Sequence, residues 1–316
     1  MRWVLRIRIW FLSRIYKSRL KEVSKLGMNQ RVSYLKLREK FRYLYGEMSA
    51  NYELIYESKL WRENNRELEK VFLPYPPFCF LENYIVARMM FVTRGGEWVR
   101  GEIETLEKEF GERDLRMILE EEPVGCPIIQ ERRYLTSRNS IHNMYHLGRY
   151  LERTKVDLEK VKTVVEWGGG YGNFCRLFLK VSRSDATYIL VDTPLFAALQ
   201  WLYLSIVIGE RKVNLVKSEN ERIVKGKVNI IPVHLMRDLE VRCDLFVSTW
   251  GLSEGSKKTL EMVVEKKWFG AKHFLIGFQK GISKFPASDG VRREMERKGA
   301  SFEGVLFPAG SKYAFV

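Results

Sequence analysis

The chain is poor in the residues that build metal sites and disulfide frameworks. Its four cysteines, Cys79, Cys126, Cys175 and Cys243, stand singly with no Cys-x-x-Cys pair, and 316 residues hold only four histidines. This pattern argues against a zinc site and a disulfide framework, and fits a reducing cytoplasm. Long apolar runs are also missing. Near the N-terminus the longest uncharged stretch is residues 9–13, far short of the ~20 residues that span a bilayer, and no signal-peptide core is visible. Glutamine is scarce, four in all beside 29% charged residues, a composition that leans toward a heat-adapted protein. What is abundant is apolar content, 46%, enough to bury a large core and to exclude disorder as the default; one large domain with an appended one is expected.

The net charge of +15 is unevenly placed, because residues 1–45 hold thirteen Lys or Arg against Glu22 and Glu39 and so carry +11 of it. An anionic partner is therefore expected to meet the N-terminal arm and not the rest of the chain. On a helical wheel Arg2, Arg6, Arg14, Lys17, Lys21 and Lys25 share one side, while Val4, Leu5, Phe11, Leu12, Ile15, Tyr16 and Val23 share the other, with Arg8 and Arg19 interrupting the apolar face. Two readings stay open: a helix lying in the plane of an anionic membrane through residues 1–25, with Trp3 and Trp10 at headgroup level, or a basic helix packed on its own protein.

Residues 1–27 thus form a basic amphipathic arm, and 28–135 read as an all-helical region, a candidate substrate cap, broken by Leu-Pro-Tyr-Pro-Pro-Phe at 73–78. Helical spacing is clearest at Leu35, Leu37, Phe41, Leu44 and Tyr45, and again over 81–91 and 98–110. From residue 136 short apolar runs alternate with helical patterns, as in a parallel sheet with crossover helices. Strands are expected at 163–166, 188–192, 228–232, 244–248 and 273–277, helices at 173–181, 194–208, 256–268 and 288–298, and a closing antiparallel hairpin from 302–307 and 312–316.

Chemistry is concentrated at Val-Val-Glu-Trp-Gly-Gly-Gly-Tyr-Gly, residues 164–172. A dinucleotide fingerprint would need a third glycine at Asn173 or Cys175, and a phosphate loop would need Lys-Ser/Thr after its second glycine; neither is present. The remaining pattern, an acid two residues before Gly-x-Gly-x-Gly, resembles the cofactor loop of class I S-adenosylmethionine-dependent methyltransferases. In that reading Gly168, Gly170 and Gly172 let the backbone press against the cofactor, and Glu166 faces its cationic ammonium and sulfonium end. Twenty residues past Gly172, Asp192 closes Ile-Leu-Val-Asp and can accept hydrogen bonds from both ribose hydroxyls. His234, after the third strand, is placed to border the adenine.

Just before the first strand of this unit, His142, Tyr145, His146 and Arg149 fall on one helical face. A histidine suits the removal of a proton from a hydroxyl as it attacks a methyl group, so His146 is the candidate base. His142, Tyr145 and Arg149 are candidate acceptor contacts. After the fourth strand comes Ser-Thr-Trp-Gly-Leu-Ser-Glu, 248–254, which offers Trp250 as a further acceptor contact and Glu254 as an alternative base. It lacks the Asp/Asn-Pro-Pro-Tyr/Phe of DNA and many protein N-methyltransferases. The acid-flanked run 120–128 reads as an interdomain linker or as a loop over the substrate.

Together Tyr145-His146-Leu147, the 166–172 loop, Val-Asp-Thr-Pro at 191–194 and the 248–254 segment resemble the sugar O-methyltransferase group of the class I enzymes. Val-Gly-Cys-Pro-Ile at 124–128 is similar to a Gly-Asn-Pro loop of that group, with Cys126 in place of Asn. The resemblance covers residues 120–316. It implies a class I, Rossmann-like, mostly parallel seven-stranded sheet, S-adenosyl-L-methionine as cofactor, a sugar or glycan acceptor, and a place in surface-glycan or glycolipid biosynthesis. Metal-dependent O-methyltransferases carry acidic or amide ligands where this chain has Ser248-Thr249 and Phe278-Gln279, so no catalytic metal is expected. The resulting expectation is a cytoplasmic enzyme whose arm contacts the inner face of the cell membrane. An RNA methyltransferase using the arm, or a non-enzymatic module of a glycan-synthesis complex, are the alternatives.

Overall fold

The computed structural model describes residues 28–316 apart from 93 and 94; the amphipathic arm lies outside the described residues. A two-stranded ribbon, β1 (Ile129–Glu131) and β2 (Thr136–Ser137), interrupts the region read as all-helical. The main sheet follows: β3 (Thr163–Trp167), β4 (Thr187–Asp192), β5 (Val213–Leu215), β6 (Val228–Pro232), β7 (Leu245–Thr249), β8 (His273–Phe278), β9 (Ser301–Gly304) and β10 (Lys312–Phe315). It has eight strands in the order β5-β6-β4-β3-β7-β8-β10-β9. Seven were expected, and the addition is the short edge strand β5, three residues that no periodicity announces. The helix read as 194–208 runs over Pro194–Leu204 and continues as a wider turn, Ser205–Gly209.

All pairings in this sheet are parallel except those of β10, which runs antiparallel between β8 and β9. This is the mostly parallel sheet closed by an antiparallel hairpin that the sequence predicts. The chain leaves β3 toward β4 on one side and returns to place β7 on the other, so the crossovers diverge and a crevice opens beyond the carboxyl ends of the central strands. Side-chain alternation divides two cores. Val164 and Leu190 face one, with Leu177, Ala197 and Leu202 from the helices Asn173–Ser182 and Pro194–Leu204. Val165, Ile189 and Val191 face the other, with Val263 and Val291 from the far-side helices Lys257–Glu265 and Ser288–Arg297.

The N-terminal helices have no core of their own. Tyr34, Phe41, Leu44 and Met48 belong to the same apolar cluster as Leu199 and Leu202, while Tyr52 and Tyr56 pack into the core on the other face, so 28–135 is built onto the sheet domain. The 120–122 segment anchors it. Ser140 Oγ donates to Glu121 at 2.6 Å and Ser137 Oγ at 3.2 Å, while the buried guanidinium of Arg176 lies 3.6 Å from the same carboxylate and donates to Asn173 Oδ1 at 2.9 Å. Residues 120–122 therefore latch the start of the Arg138–Thr154 helix to the first crossover.

Cys79 and Cys126 form a disulfide, with Cα atoms 4.7 Å apart. This runs against the expectation of no disulfide framework and removes the cysteine argument for a reducing compartment. The partners are 47 residues apart in sequence and meet because Leu81 N donates to Gly125 O at 3.1 Å, a contact that spacing does not encode.

A close backbone approach joins β3 and β7 at their carboxyl ends. A Cβ on Gly168 would stand 2.6 Å from Gly251 Cα, and one on Gly251 would stand 2.5 Å from the Trp167 carbonyl oxygen. Gly251→Ala is expected to cost about 1–3 kcal/mol of stability through overpacking, whereas Gly304→Ala, which meets nothing within 4 Å, should change it by less than ~0.5 kcal/mol; urea unfolding of the two variants compares them. Reduction, or Cys79→Ser with Cys126→Ser, is expected to lower stability by up to ~4 kcal/mol, the chain-entropy value for a loop of this length, read as a lower thermal midpoint.

Candidate active site

The crevice holds a cleft of about 1020 Å³, including space open to solvent, lined by the turn after β3, the ends of β4 and β7, and residues of the N-terminal helices. Gly168, Gly169 and Gly170 form one wall, Asp192 and Thr193 the next, and Thr249, Trp250, Gly251 and Glu254 the far side. Tyr56, Glu57, Trp61 and Phe91 cover it, and His142 with Asn139 and Asn143 come from the Arg138–Thr154 helix.

The glycine turn is held from behind by backbone and side-chain hydrogen bonds. Gly168 N donates to Val191 O at 2.8 Å, tying the turn to β4. Gln200 Nε2 donates to both Gly170 O and Asp192 Oδ2, each at 2.9 Å, so one fully buried amide fixes the spacing between the glycine loop and the acid after β4. Asn139 Nδ2 donates to Met90 O at 2.6 Å, and Asn139 Oδ1 accepts from Tyr171 at 2.9 Å and Asn173 at 2.8 Å. That residue joins the cover to the turn.

Four carboxyl groups border the cleft, and all are pushed up in pKa. Burial raises Glu166 to about 8, against a hydrogen bond from Tyr188 Oη at 2.7 Å. Burial likewise raises Asp192 to about 7, opposed by the Thr193 N–H and Gln200. It also raises Glu254 to about 7, opposed by donors from Trp61 Nε1 at 3.1 Å and Gln279 Nε2 at 2.6 Å. Glu57 is raised by burial as well. Acids desolvated in this way favour a proton or a cationic ligand.

Of the residues singled out in the sequence, Glu166, Gly168, Gly170, Asp192, His142, Trp250 and Glu254 line this cleft; Gly172, Tyr145, His146, Arg149 and His234 do not. Gly172 begins the Asn173–Ser182 helix, where a Cβ would meet Leu204 at 2.9 Å. His234 packs edge-on against Tyr52 at 5.4 Å, and its neighbour Val233 reaches the cleft instead. Arg149 turns outward to Glu303 at 2.7 Å and to Glu152. Tyr145 packs toward Tyr313. His146, the candidate base, is fully buried behind His142 and bonded through Nδ1 to Tyr313 Oη; one turn of helix separates the two histidines, and the earlier one faces the cleft. Among the described residues no group of three or more His, Cys, Asp and Glu is placed to hold a metal ion.

Sequence reasoning missed Glu57, Trp61, Asn139, Gln200 and Gln279. Gln200 left a signal, a lone amide in Leu-Phe-Ala-Ala-Leu-Gln-Trp-Leu. Glu57, Trp61 and Asn139 reach the cleft through tertiary contacts alone, and Gln279 is tied to it through Glu254.

No family model and no curated protein sequence matches this chain. Among solved structures, fibrillarin of Aeropyrum pernix with bound S-adenosyl-L-methionine is similar at 12% identity over 54% of this chain and 73% of that one, with a TM-score of 0.35. Mitomycin 7-O-methyltransferase MmcR is similar at 12% identity over 69% of this chain and 66% of that one, TM-score 0.35. The N-terminal domain of human METTL16 in complex with SAH is similar at 9% identity over 55% and 69%, TM-score 0.37. These likenesses assign no residue of this chain a role.

Proposed function

We propose that the chain is an S-adenosylmethionine-dependent methyltransferase that methylates a hydroxyl group of a sugar. The observation that carries the proposal is the Gln200 bridge, which sets the Gly170 backbone and the Asp192 carboxylate side by side at the crevice of this fold. The residues fit the cofactor in shape and charge. Gly168, Gly169 and Gly170 put backbone alone on this wall of the cleft, and the raised acids Glu166, Asp192 and Glu57 suit a ligand that carries an ammonium and a sulfonium. When bound, S-adenosylmethionine supplies an electrophilic methyl group.

A sugar suits the opposite end of the cleft. Trp61, Trp250 and Phe91 present aromatic surface to the cleft, which packs on the C–H faces of a pyranose, while Glu254 can accept from its hydroxyls. Trp250 Nε1 and His142 Nε2 are buried polar atoms without a partner among the described residues, and both belong to side chains that line this end. No described helix is long and apolar enough to cross a membrane. The basic residues 1–25 are proposed to hold the enzyme at an anionic membrane surface, near a lipid-carried acceptor.

Titration calorimetry tests the cofactor site: S-adenosylhomocysteine should bind, and Asp192→Asn should weaken it at least tenfold. No binding, or equal binding, would sink the proposal. The raised carboxyls set the pH dependence. They are protonated in the free protein below about 7 to 8, a cation favours their ionised form, and binding therefore releases protons. Affinity for S-adenosylmethionine should rise between pH 6 and 8, with heats that vary with buffer ionisation enthalpy; a flat profile contradicts the assignment. Co-sedimentation with phosphatidylserine vesicles, lost on deleting residues 1–25, checks the membrane contact.

A further inference from the structure

Behind the cleft lies a buried group of polar side chains with no purely structural account. His142 Nδ1 is 2.7 Å from Glu102 Oε1, and both side chains are almost fully buried. Glu102 comes from the helix Trp98–Phe110, across an interface made by aromatic rings: Phe91 and Trp98 stand 5.2 and 5.1 Å from the imidazole. Neither His142 Nε2 nor Glu102 Oε2 has a partner among the described residues. An acid and an imidazole buried together in an apolar shell, each with one polar atom left unpartnered, cost the fold stability.

We propose that Glu102 and His142 act as one base, with His142 Nε2 taking the proton of the acceptor hydroxyl and Glu102 taking the proton from Nδ1. The proposal rests on the methyltransferase reading above, and makes Glu102 a positioning residue and proton store for His142. Before reaction the pair carries one negative charge: Glu102 is ionised and accepts from Nδ1–H, leaving the Nε2 lone pair toward the cleft. The acceptor oxygen then bonds to the transferred methyl carbon, and the carbon–sulfur bond breaks with its electron pair left on sulfur. The hydroxyl proton passes to Nε2 and the Nδ1 proton to Glu102. The positive charge of the sulfonium and the negative charge of the pair disappear together, so the step ends with no charge left in the apolar shell.

Burial favours this ending. It pushes Glu102 well above the carboxylate range and holds His142 down to about 3, so the pair becomes neutral on gaining a proton and does not form imidazolium. The charged and titratable groups around the pair are few. Arg138, on the same helix as His142, opposes the rise of Glu102 and the protonation of His142. His146 stacks edge-on at 4.2 Å and is held neutral by burial and by His142; Tyr313 caps His146 from β10.

Nitrogen-15 NMR of the full chain, with only four histidines to assign, tests this without an acceptor. Between pH 5 and 10 His142 should stay neutral while its proton moves from Nε2 at low pH to Nδ1 at high pH. Appearance of imidazolium, or one unchanging tautomer, would overturn the proposal on the wild-type protein alone. Glu102→Gln should abolish the switch, and Tyr313→Phe, which removes the partner of His146, should leave its midpoint in place. A switch that survives in Glu102→Gln, or is lost in Tyr313→Phe, would equally overturn it. S-adenosylhomocysteine binding measured on the same samples separates the two claims, since its absence in wild type would defeat the methyltransferase reading without touching the tautomer result.

Discussion

Two turns touch backbone to backbone where Gly168 leaves β3 and Gly251 follows β7, and the cleft depends on that contact. Neither position has room for a Cβ. Because they meet, the glycine loop and the 248–254 segment form adjoining walls instead of separate strand ends. Ser248 Oγ seals the joint by donating to Trp167 O at 3.0 Å and accepting from Leu252 N at 2.9 Å. Trp250 is held at a φ of 76°, a conformation costly for a non-glycine residue by about 1–3 kcal/mol. Its backbone N–H donates to Gly277 O at 2.9 Å, so the neighbouring strand fixes the Trp250 backbone beside the cleft.

From this joint the electrostatics follow. Strands buried on both faces bring Glu166 and Asp192 into low-dielectric surroundings at their carboxyl ends, and the covering helices do the same to Glu254 and Glu57. The acids are kept there by neutral donors, Tyr188, Gln200, Gln279 and Trp61. None of those donors carries a charge that would compete with a cationic ligand, so the cleft keeps its demand for positive charge.

The N-terminal helices are part of the site. Trp61 reaches Glu254, Thr259 Oγ1 donates to Tyr56 O at 2.7 Å, and Asn139 holds Met90. With the shared apolar core, these bonds make the cover continuous with the sheet. On the opposite flank Glu102 reaches His142 from the same region. The cover therefore supplies the aromatic surface over the acceptor end and the carboxylate behind the imidazole.

The sequence by itself determined the strand–helix alternation after residue 136, because burial on both faces of a parallel sheet leaves apolar runs that local periodicity reveals. It also determined the acid–glycine turn and Asp192, whose chemistry depends on residues close together in the chain. The tertiary structure decided the rest. It put His142 in the cleft and His146 behind it, a choice set by which side of the helix packs on β10. It joined Cys79 to Cys126 across 47 residues, and it brought Glu57, Trp61 and Glu102 to the site from a region read only as a candidate cap. Such pairings are fixed by how helices pack over the sheet, and short-range patterns of residue type carry no record of which distant side chains will meet.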